Sequence, residues 1–421
     1  MIRFIHAADL HLDQPFKKIS KTNPSLYEKL RQATTASFNN IIETAINETV
    51  DFVVVSGDIY HNEPASLQAQ FTFRQGMERL AEAGIPAIVC HGNHDYVQGD
   101  AHRLAMPDNV YIFPDHVDSY HFQAKSSEHV MLTGFSYGQA WIERDMVQDF
   151  PKRQAGIDFQ IGVIHGENQR HEGKHHYAPF NVSDLTALGY DYWALGHIHK
   201  RQILADHPPV VYPGNIQGSS FKESGPKGVY LVSLQKYQEA ELEFVETTDW
   251  QFSAPLRDLP KLENIEDLRN VVERALHEEV MYAKNEAVNL VIRLAFRTDG
   301  DEESLYWWDR YAEELRDQLQ WSLSNQDQYR DQEIYLADLK LVIDERSSWS
   351  YSKAFQDALQ QSFHRLQAEG EWEQLIQPLM QNQLWQRYML PQIDGETFKA
   401  DVLNRAVEKI IVRQAVEQKE N

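Results

Sequence analysis

Five times between residues 2 and 199 an apolar run of strand length ends on a short polar motif built from Asp, Asn, His and Gly. The runs are IRFIHAADLH (Asp9, His11), FVVVSGDIYH (Gly57, Asp58, His61), AIVCHGNHD (Gly92, Asn93, His94, Asp95), FQIGVIHG (His165, Gly166) and YDYWALGHIH (Gly196, His197, His199). A chain patterned in this way folds productively when every strand delivers its end to one place. In an α/β sheet that place is the carboxyl edge, where ligands bind. Residues i and i+2 of extended backbone share a face, so Asp9 and His11 point the same way beyond the first strand. The recurring glycines suit turns that need positive φ, or a backbone that must approach an ion or a phosphate closely.

Between these runs the period changes. Leu26, Leu30 and Ala33, then Phe38, Ile42 and Ile46, recur at helical spacing and predict a helix over 25–48. Leu67, Phe71, Met77 and Leu80 predict a second over 66–83, closed by Gly84, with Pro86 opening the next strand. VMLTGFSY, VVYPGN, GVYLVSL and AELEFVE read as further strands. Early parallel βαβ units followed by many closely spaced strands predict an α/β sandwich, two mixed sheets face to face with helices outside.

A length of 421 residues suggests roughly two or three domains. The segment WQFSAPLRDLPKLEN, with two prolines and little periodicity, marks the first boundary. Residues 1–250 form the first domain. A helix (263–283), a strand (AVNLVIRLAF), a helix (302–321) and a strand (EIYLADLKLVI) make 255–345 a small α/β domain. Residues 346–421 read as a helical region whose last stretch is amphipathic, with Val402, Ala406, Ile410 and Val416 near one side.

No apolar run approaches the roughly 18 residues of a membrane span, and MIRFIHAADLH meets charge before a signal-peptide core can form, so a cytoplasmic location is expected. The single cysteine, Cys90, cannot form an internal disulfide and reads as a buried, inert thiol. The net charge of −23 is more restrictive. A protein that grips nucleic acid unaided shows a basic footprint. If the substrate is a phosphodiester polymer, bound cations or a basic partner must supply much of the attraction.

The donor types decide the metal chemistry. Two Asp, one Asn and four His (Asp9, His11, Asp58, Asn93, His165, His197, His199) form a mixed O/N set without thiolate, suited to Mn²⁺, Fe²⁺ or Zn²⁺. Seven donors are too many for one tetrahedral ion. They suit two ions roughly 3.5–4 Å apart with a bridging carboxylate, the arrangement that clamps the attacking and leaving oxygens of a phosphoryl displacement.

D-x-H, GD, GNHD and GHxH in series resemble the signature of the calcineurin-like metallophosphoesterases over the first 250 residues. GDIYH and GNHD are similar to the nuclease branch rather than to the protein phosphatases, which tend to carry GDxxD-G and GNHE. HAADLHLD, VVVSGDIYH, YDYWALGHIHK and VVYPGNIQGSSFKESGPKGVYLV resemble the SbcD-type DNA repair exonucleases, and among them the YhaO-type members of Firmicutes. The resemblance implies one metal on Asp9, His11, Asp58 and His199 and a second on Asp58, Asn93, His165 and His197, with Asp58 as the bridge and Mn²⁺ the expected ion. It further implies hydroxide activated by the metals as nucleophile and His94 as the acid that protonates the leaving 3′-oxygen. His61 would be a second histidine facing the substrate, or a hydrogen-bonding support for a ligand. Asp95 would orient His94, or pack, or cap a helix.

For the whole chain the family implies a 3′-to-5′ DNA exonuclease in repair, with endonuclease activity on single strands. It implies a homodimer through the helix at 66–83, a capping domain at 255–345, and C-terminal helices that bind an SMC-like, SbcC-type ATPase. Such a partner would bring the basic surface that this acidic chain lacks. The C-terminal third matches no motif, so the last two assignments rest on order along the chain. Two other readings stay open: a phosphodiesterase of the same fold for a nucleotide or cyclic dinucleotide, and a poorly active scaffold subunit of a repair ATPase. His171, His175 and His176 read as a solvated loop or a substrate contact, and Lys222 and Lys227 as a surface loop or a phosphate contact. Trp372, Trp385 and Tyr388 read as core or partner-facing aromatics.

Overall fold

The computed structural model describes residues 1–16, 19, 23–62, 64–97, 103–168, 176–325 and 332–343, with 361–362, 365–366, 371–381, 398–399, 402–403 and 406. The chain divides into two compact units, Met1–Ser253 with Ala287–Leu290, and Ala254–Glu286 with Val291–Asn421.

The first unit begins β1 (Ile2–Ala7), α1 (Pro24–Asn47), β2 (Phe52–Ser56), α2 (Leu67–Glu82), β3 (Ala87–Cys90), β4 (Val110–Ile112). It continues β5 (Asp118–Gln123), β6 (His129–Gly134), β7 (Phe159–His165), α3 (Val182–Ala187), β8 (Tyr192–Gly196), β9 (Gln202–Asp206), β10 (Pro209–Tyr212). It closes with β11 (Gly228–Leu234), β12 (Glu241–Glu246) and β13 (Trp250–Ser253). One sheet has the order β12-β11-β1-β2-β3-β4 and the other β5-β6-β7-β8-β10-β9. Within the first, β1 to β4 are parallel and β11 runs antiparallel to β1. Within the second, β6, β7, β8 and β10 are parallel, and β5 and β9 close the edges antiparallel. The expected α/β sandwich of two mixed sheets flanked by helices is the observed fold.

The period-2 alternation of the strands accounts for the layers. Phe4, Phe52, Val54, Ile88 and Cys90 point inward and meet Val130, Leu132, Ile161, Val163 and Tyr192 of the facing sheet. The intervening Ile5, Ala7, Val53, Val55 and Val89 point outward and are covered by Phe38, Ile42, Phe73 and Met77 of α1 and α2. Both faces are buried, so these strands read as unbroken apolar runs rather than as alternation.

The helices α1 and α2 each start on a side-chain cap. The Asn23 side chain accepts from Leu26 N at 3.0 Å with Pro24 at the first turn, and Ser66 accepts from Ala69 N at 3.2 Å. The α2 helix ends at Gly84, φ +68°, which opens the chain for Ile85 N to bond Leu80 O at 2.9 Å. Cys90 is fully buried at the end of β3, and burial pushes its thiol pKa well up. The boundary segment holds two strands that went unread in the sequence, β13 and Leu256–Asp258, and within the two sheets three more went unread, β4, β5 and β9. These three are short and partly exposed, and all lie on sheet edges, so no apolar run marks them.

In the second unit β14 (Leu256–Asp258) pairs in parallel with β15 (Asn289–Thr298), and β16 (Ile334–Ile343) also pairs with β15. The helix α4 (Ile265–Glu286) buries Leu268, Val272, Ala275, Leu276 and Val280. The helix α5 (Glu302–Asn325) buries Leu305, Trp308, Ala312, Leu315, Leu319 and Leu323, a three-and-four spacing that makes one continuous apolar stripe. A further helix, α6 (Glu371–Met380), carries the buried Trp372, whose ring centroid is 6.1 Å from that of Phe398. Trp385, Tyr388 and most of the terminal amphipathic stretch lie outside the described residues. Among the described residues no helix is long and apolar enough to cross a membrane.

Candidate metal centre

The five motifs converge from two sheets rather than from one edge. Asp9 and His11 follow β1, Asp58 and His61 follow β2, and Asn93 and His94 follow β3. His165 closes β7 of the other sheet, and His197 and His199 follow β8. Backbone bonds tie the first two loops together: Asp9 N to Gly57 O, 3.1 Å; His11 N to Asp58 O, 3.0 Å; Leu12 N to Ile59 O, 3.0 Å. Asp9, His11, Asp58 and His197 hold φ of 50°, 43°, 52° and 98°, the left-handed region that non-glycine residues seldom occupy. Each such residue costs roughly 1–3 kcal/mol and persists where the surroundings over-determine it, as at functional sites.

The glycines have a more local reason than approach to an ion. A Cβ on Gly57 would lie 2.3 Å from His165 Nδ1, and one on Gly92 would lie 2.2 Å from Asp58 Oδ1 and 2.7 Å from His165 Nε2. On Gly196 it would lie 1.8 Å from Ser56 O. Three of the five motifs therefore carry glycine to make room for one histidine and its neighbours.

Seven predicted donors are brought together. Asp9, His11 and His199 form one group of convergent atoms, and Asp9, Asp58 and His165 a second, each within 4.8 Å. His11 Nε2 stands 3.0 Å from His199 Nε2 and 3.7 Å from Asp58 Oδ2. His165 Nε2 stands 3.4 Å from Asp58 Oδ2, and Asn93 Oδ1 lies 3.0 Å from His165 Nε2 and 3.1 Å from His197 Nδ1.

Proton bookkeeping tests whether a cation fits. His165 donates Nδ1–H to Ser56 O at 2.9 Å, and His199 donates Nδ1–H to Glu223 Oε1 at 2.6 Å, so in the neutral rings both Nε2 atoms are lone pairs. The His165 lone pair faces a carboxylate and an amide oxygen; the His199 lone pair faces His11 Nε2. Nitrogens about 2.1 Å from a shared ion at a near-right angle are about 3.0 Å apart. His11 Nδ1 is buried without a hydrogen-bond partner among the described residues, and the ring's hydrogen-bonding contact is that of its Nε2 with His199 Nε2. The residues present fit divalent cations.

The charges of these groups are strongly interdependent. Burial pushes Asp9 up to about 6, even though His199 and His165 pull against it. Asp58 is also desolvated, yet His165, His11 and His94 outweigh that and hold it well below the usual carboxylate range. Burial opposes a charge on His165, and Asp58 and Asp9 overcome it, raising His165 to about 9. Burial lowers His11 well below its usual value and takes His197 to about 3.

His94 and His61 stand beside the donors. Their rings stack at 4.8 Å, and His11 lies 5.2 Å from each. His94 donates Nδ1–H to His61 O at 3.0 Å, and its backbone N–H bonds Asp58 Oδ1 at 3.0 Å. Asp95 does not reach the His94 ring by any hydrogen bond in the structure. It is fully buried and accepts from Ile59 N (2.8 Å) and Gly92 N (2.7 Å), bracing the loops after β2 and β3.

Three supporting residues escaped the sequence reading. Asp13 accepts from His61 N at 2.6 Å and Ser66 N at 3.2 Å, fixing the loop whose carbonyl holds His94. The Tyr177 ring lies against His197, 4.7 Å between centroids. Glu223 backs His199. Burial opposes its charge, but His199 and Ser219 hold it down to about 2. Asp13 and Glu223 sit inside the stretches HAADLHLD and SSFKESGPKG, but nothing in their spacing distinguishes them from loop acids. Lys222 is exposed, whereas Lys227 is buried and donates to His199 O at 3.1 Å, so Lys227 is neither a surface lysine nor a phosphate contact. His176 lies 3.9 Å from Glu167, and His171 and His175 fall outside the described residues.

Residues 2–201 match the family described as calcineurin-like phosphoesterase. YhaO of Bacillus subtilis (strain 168), named a metallophosphoesterase, is 38% identical over 274 residues, 65% of this chain and 67% of that protein. The DNA double-strand break repair protein Mre11 of Methanopyrus kandleri is 22% identical over 302 residues, 65% of this chain and 63% of that protein. Its namesake in Haloferax volcanii is 31% identical over 258 residues, 56% and 50% of the two chains. The chain thus spans between half and two thirds of the length of these relatives. With a sandwich of two mixed sheets and a match that runs from the first strand through His199, the chain belongs to the calcineurin-like metallophosphoesterases.

Proposed function

We propose that the chain is a two-metal phosphodiesterase acting on DNA in repair, a 3′-to-5′ exonuclease that also cuts single strands. The observation that carries this reading is Asp58, whose Oδ2 lies 3.7 Å from His11 Nε2 and 3.4 Å from His165 Nε2 and so reaches a histidine of each donor group, with the His94 backbone N–H bonded to its other oxygen. Divalent ions bound there, Mn²⁺ in our reading, supply charge neutralisation at the phosphate and an activated water. Asp9, His11, Asp58 and His199 would hold one ion; Asp58, Asn93, His165 and His197 would hold the other. His94 has its Nδ1–H engaged by the His61 carbonyl, which leaves Nε2 to hold and deliver a proton to the leaving oxygen. The His61 ring, stacked on His94, presents a second imidazole to the same space.

The name of the archaeal relatives, DNA double-strand break repair protein, supports DNA as the substrate. We assign 1–250 as the nuclease domain, 255–345 as a capping domain and 346–421 as the docking region for an SMC-like, SbcC-type ATPase, in a cytoplasmic complex. The exposed Leu67 and Phe71, one turn apart on α2, suit the homodimer contact. The net charge of −23 favours a second reading, a phosphodiesterase for a nucleotide or cyclic dinucleotide.

The test is Mn²⁺-dependent cleavage of end-labelled single- and double-stranded DNA, with bis-p-nitrophenyl phosphate in parallel, for wild type, His94→Ala and Asp58→Ala. Degradation of DNA and diester by wild type, with DNA cleavage lost in both variants, supports the nuclease. Cleavage of the small diester with DNA left intact would sink the autonomous nuclease.

A further inference from the structure

The two ligand sets proposed above share Asp58 but differ in what stands behind them. In the first group His199 donates Nδ1–H to Glu223 Oε1 at 2.6 Å. Glu223 is itself fixed: its Oε2 accepts from Ser219 N (2.6 Å), Ser219 Oγ (2.8 Å) and Asn215 Nδ2 (3.1 Å). A carboxylate hydrogen-bonded to the far nitrogen of a ligating imidazole makes the near nitrogen a stronger donor and fixes the ring's orientation. In the second group His165 Nδ1 hydrogen-bonds the Ser56 carbonyl, a neutral acceptor, and Asn93 Oδ1, also neutral, lies 3.0 Å from its Nε2. Asp9 belongs to both groups of convergent atoms, and Asp58 Oδ2 lies 3.7 Å from His11 Nε2 and 3.4 Å from His165 Nε2, so the carboxylate that sets the first position apart is Glu223.

We propose that Glu223, as a positioning residue, makes the two metal positions unequal. The ion held by Asp9, His11, Asp58 and His199 binds first and stays, while the ion held by Asp58, Asn93, His165 and His197 exchanges with free metal. Activity would then follow free Mn²⁺ through the second position, with the first already filled. The inference rests on the metal-centre reading above.

The experiment is an Mn²⁺ titration of the metal-stripped full chain, read by calorimetry and by the Mn²⁺ paramagnetic resonance spectrum at one and two equivalents. Wild type should show two events separated by at least about tenfold in affinity. Glu223→Gln should weaken the tighter event by about 10- to 100-fold and leave the weaker within a small factor. Asn93→Ala should weaken the other event alone. Glu223→Asp, which keeps a carboxylate on a shorter arm, should fall between wild type and Glu223→Gln. The thermal midpoint of each metal-free variant separates a lost fold from a lost ligand environment. Two indistinguishable events in wild type would overturn the inference, as would equal weakening of both, or of neither, by Glu223→Gln. A wild-type chain that binds no Mn²⁺ would overturn the metal-centre reading itself.

Discussion

Replacing Gly92 by alanine adds one methyl group at the most crowded point of the centre. The backbone there is not in the left-handed region, so alanine meets no torsional penalty and the effect is one of space. The new Cβ would lie 2.2 Å from Asp58 Oδ1 and 2.7 Å from His165 Nε2, where ordinary contact begins at 3.4 Å. Asp58, the loop, or both must retreat by about 1 Å. Overpacking of this size costs about 1–3 kcal/mol, a fall of roughly 2–12 °C in Tm for a unit this large. A misplacement of about 1 Å in a reacting constellation costs about 100-fold in rate. We therefore expect Gly92→Ala to stay folded and to lose about 100-fold in kcat/KM on bis-p-nitrophenyl phosphate with saturating Mn²⁺. The control is Gly84→Ala, at φ +68° with no atom within 4 Å of its Cβ. Its backbone strain costs about 1 kcal/mol, and it should lower Tm with activity unchanged. A Gly92→Ala protein within threefold of wild-type activity would refute the claim that this glycine exists to make room for the ligands.

Three other outcomes follow from the packing. His6 is fully buried between Tyr192 OH (2.9 Å) and Leu195 O (3.2 Å), and burial lowers its pKa to about 3. The unfolded chain then binds the extra proton below about pH 6.5, so this contribution to stability is complete above that pH and is lost as pH falls towards 3. The loss reaches about 2 kcal/mol by pH 5, and denaturant melts of His6→Gln should show a shallower acid limb than wild type. Gly76→Ala would set a Cβ 2.5 Å from the Phe38 ring where α1 and α2 meet, and should cost about 1–3 kcal/mol in urea unfolding. Lys227→Met removes the donor to His199 O; it should cost about 1 kcal/mol and lower Mn²⁺ affinity, and unchanged affinity would show that this bond does not hold the His199 loop.

The fold and the donors were legible for a common physical reason. Strands buried on both faces must be apolar throughout, so the polar residue that ends each run stands out against FVVV or YWAL. The end of the second helix was equally plain, because Gly84 does in the structure what glycine does past a helix terminus, whereas the caps Asn23 and Ser66 emerged only from the structure. What was not legible depends on contacts distant in sequence. Glu223 acquires its role from an imidazole 24 residues away, and Gly57 its necessity from a ring 108 positions later. Nor does a sequence show that three motifs come from one sheet and two from the other. Lys227 misled because a lysine among Ser, Gly and Pro reads as solvated until the fold places its ammonium under a ligand loop.

Because His11 and His199 come from loops 188 positions apart and from opposite sheets, an ion that joins them is also a clasp between the layers. Whatever binds the folded state alone stabilises it by RT ln(1 + [L]/Kd), about 2.7 kcal/mol at a hundredfold excess over Kd. Metal supply would then govern how long the protein survives in the cell as well as how fast it works. A metal-starved chain would be silent and, with its two layers unclasped, an easier target for the proteases that clear partly opened proteins.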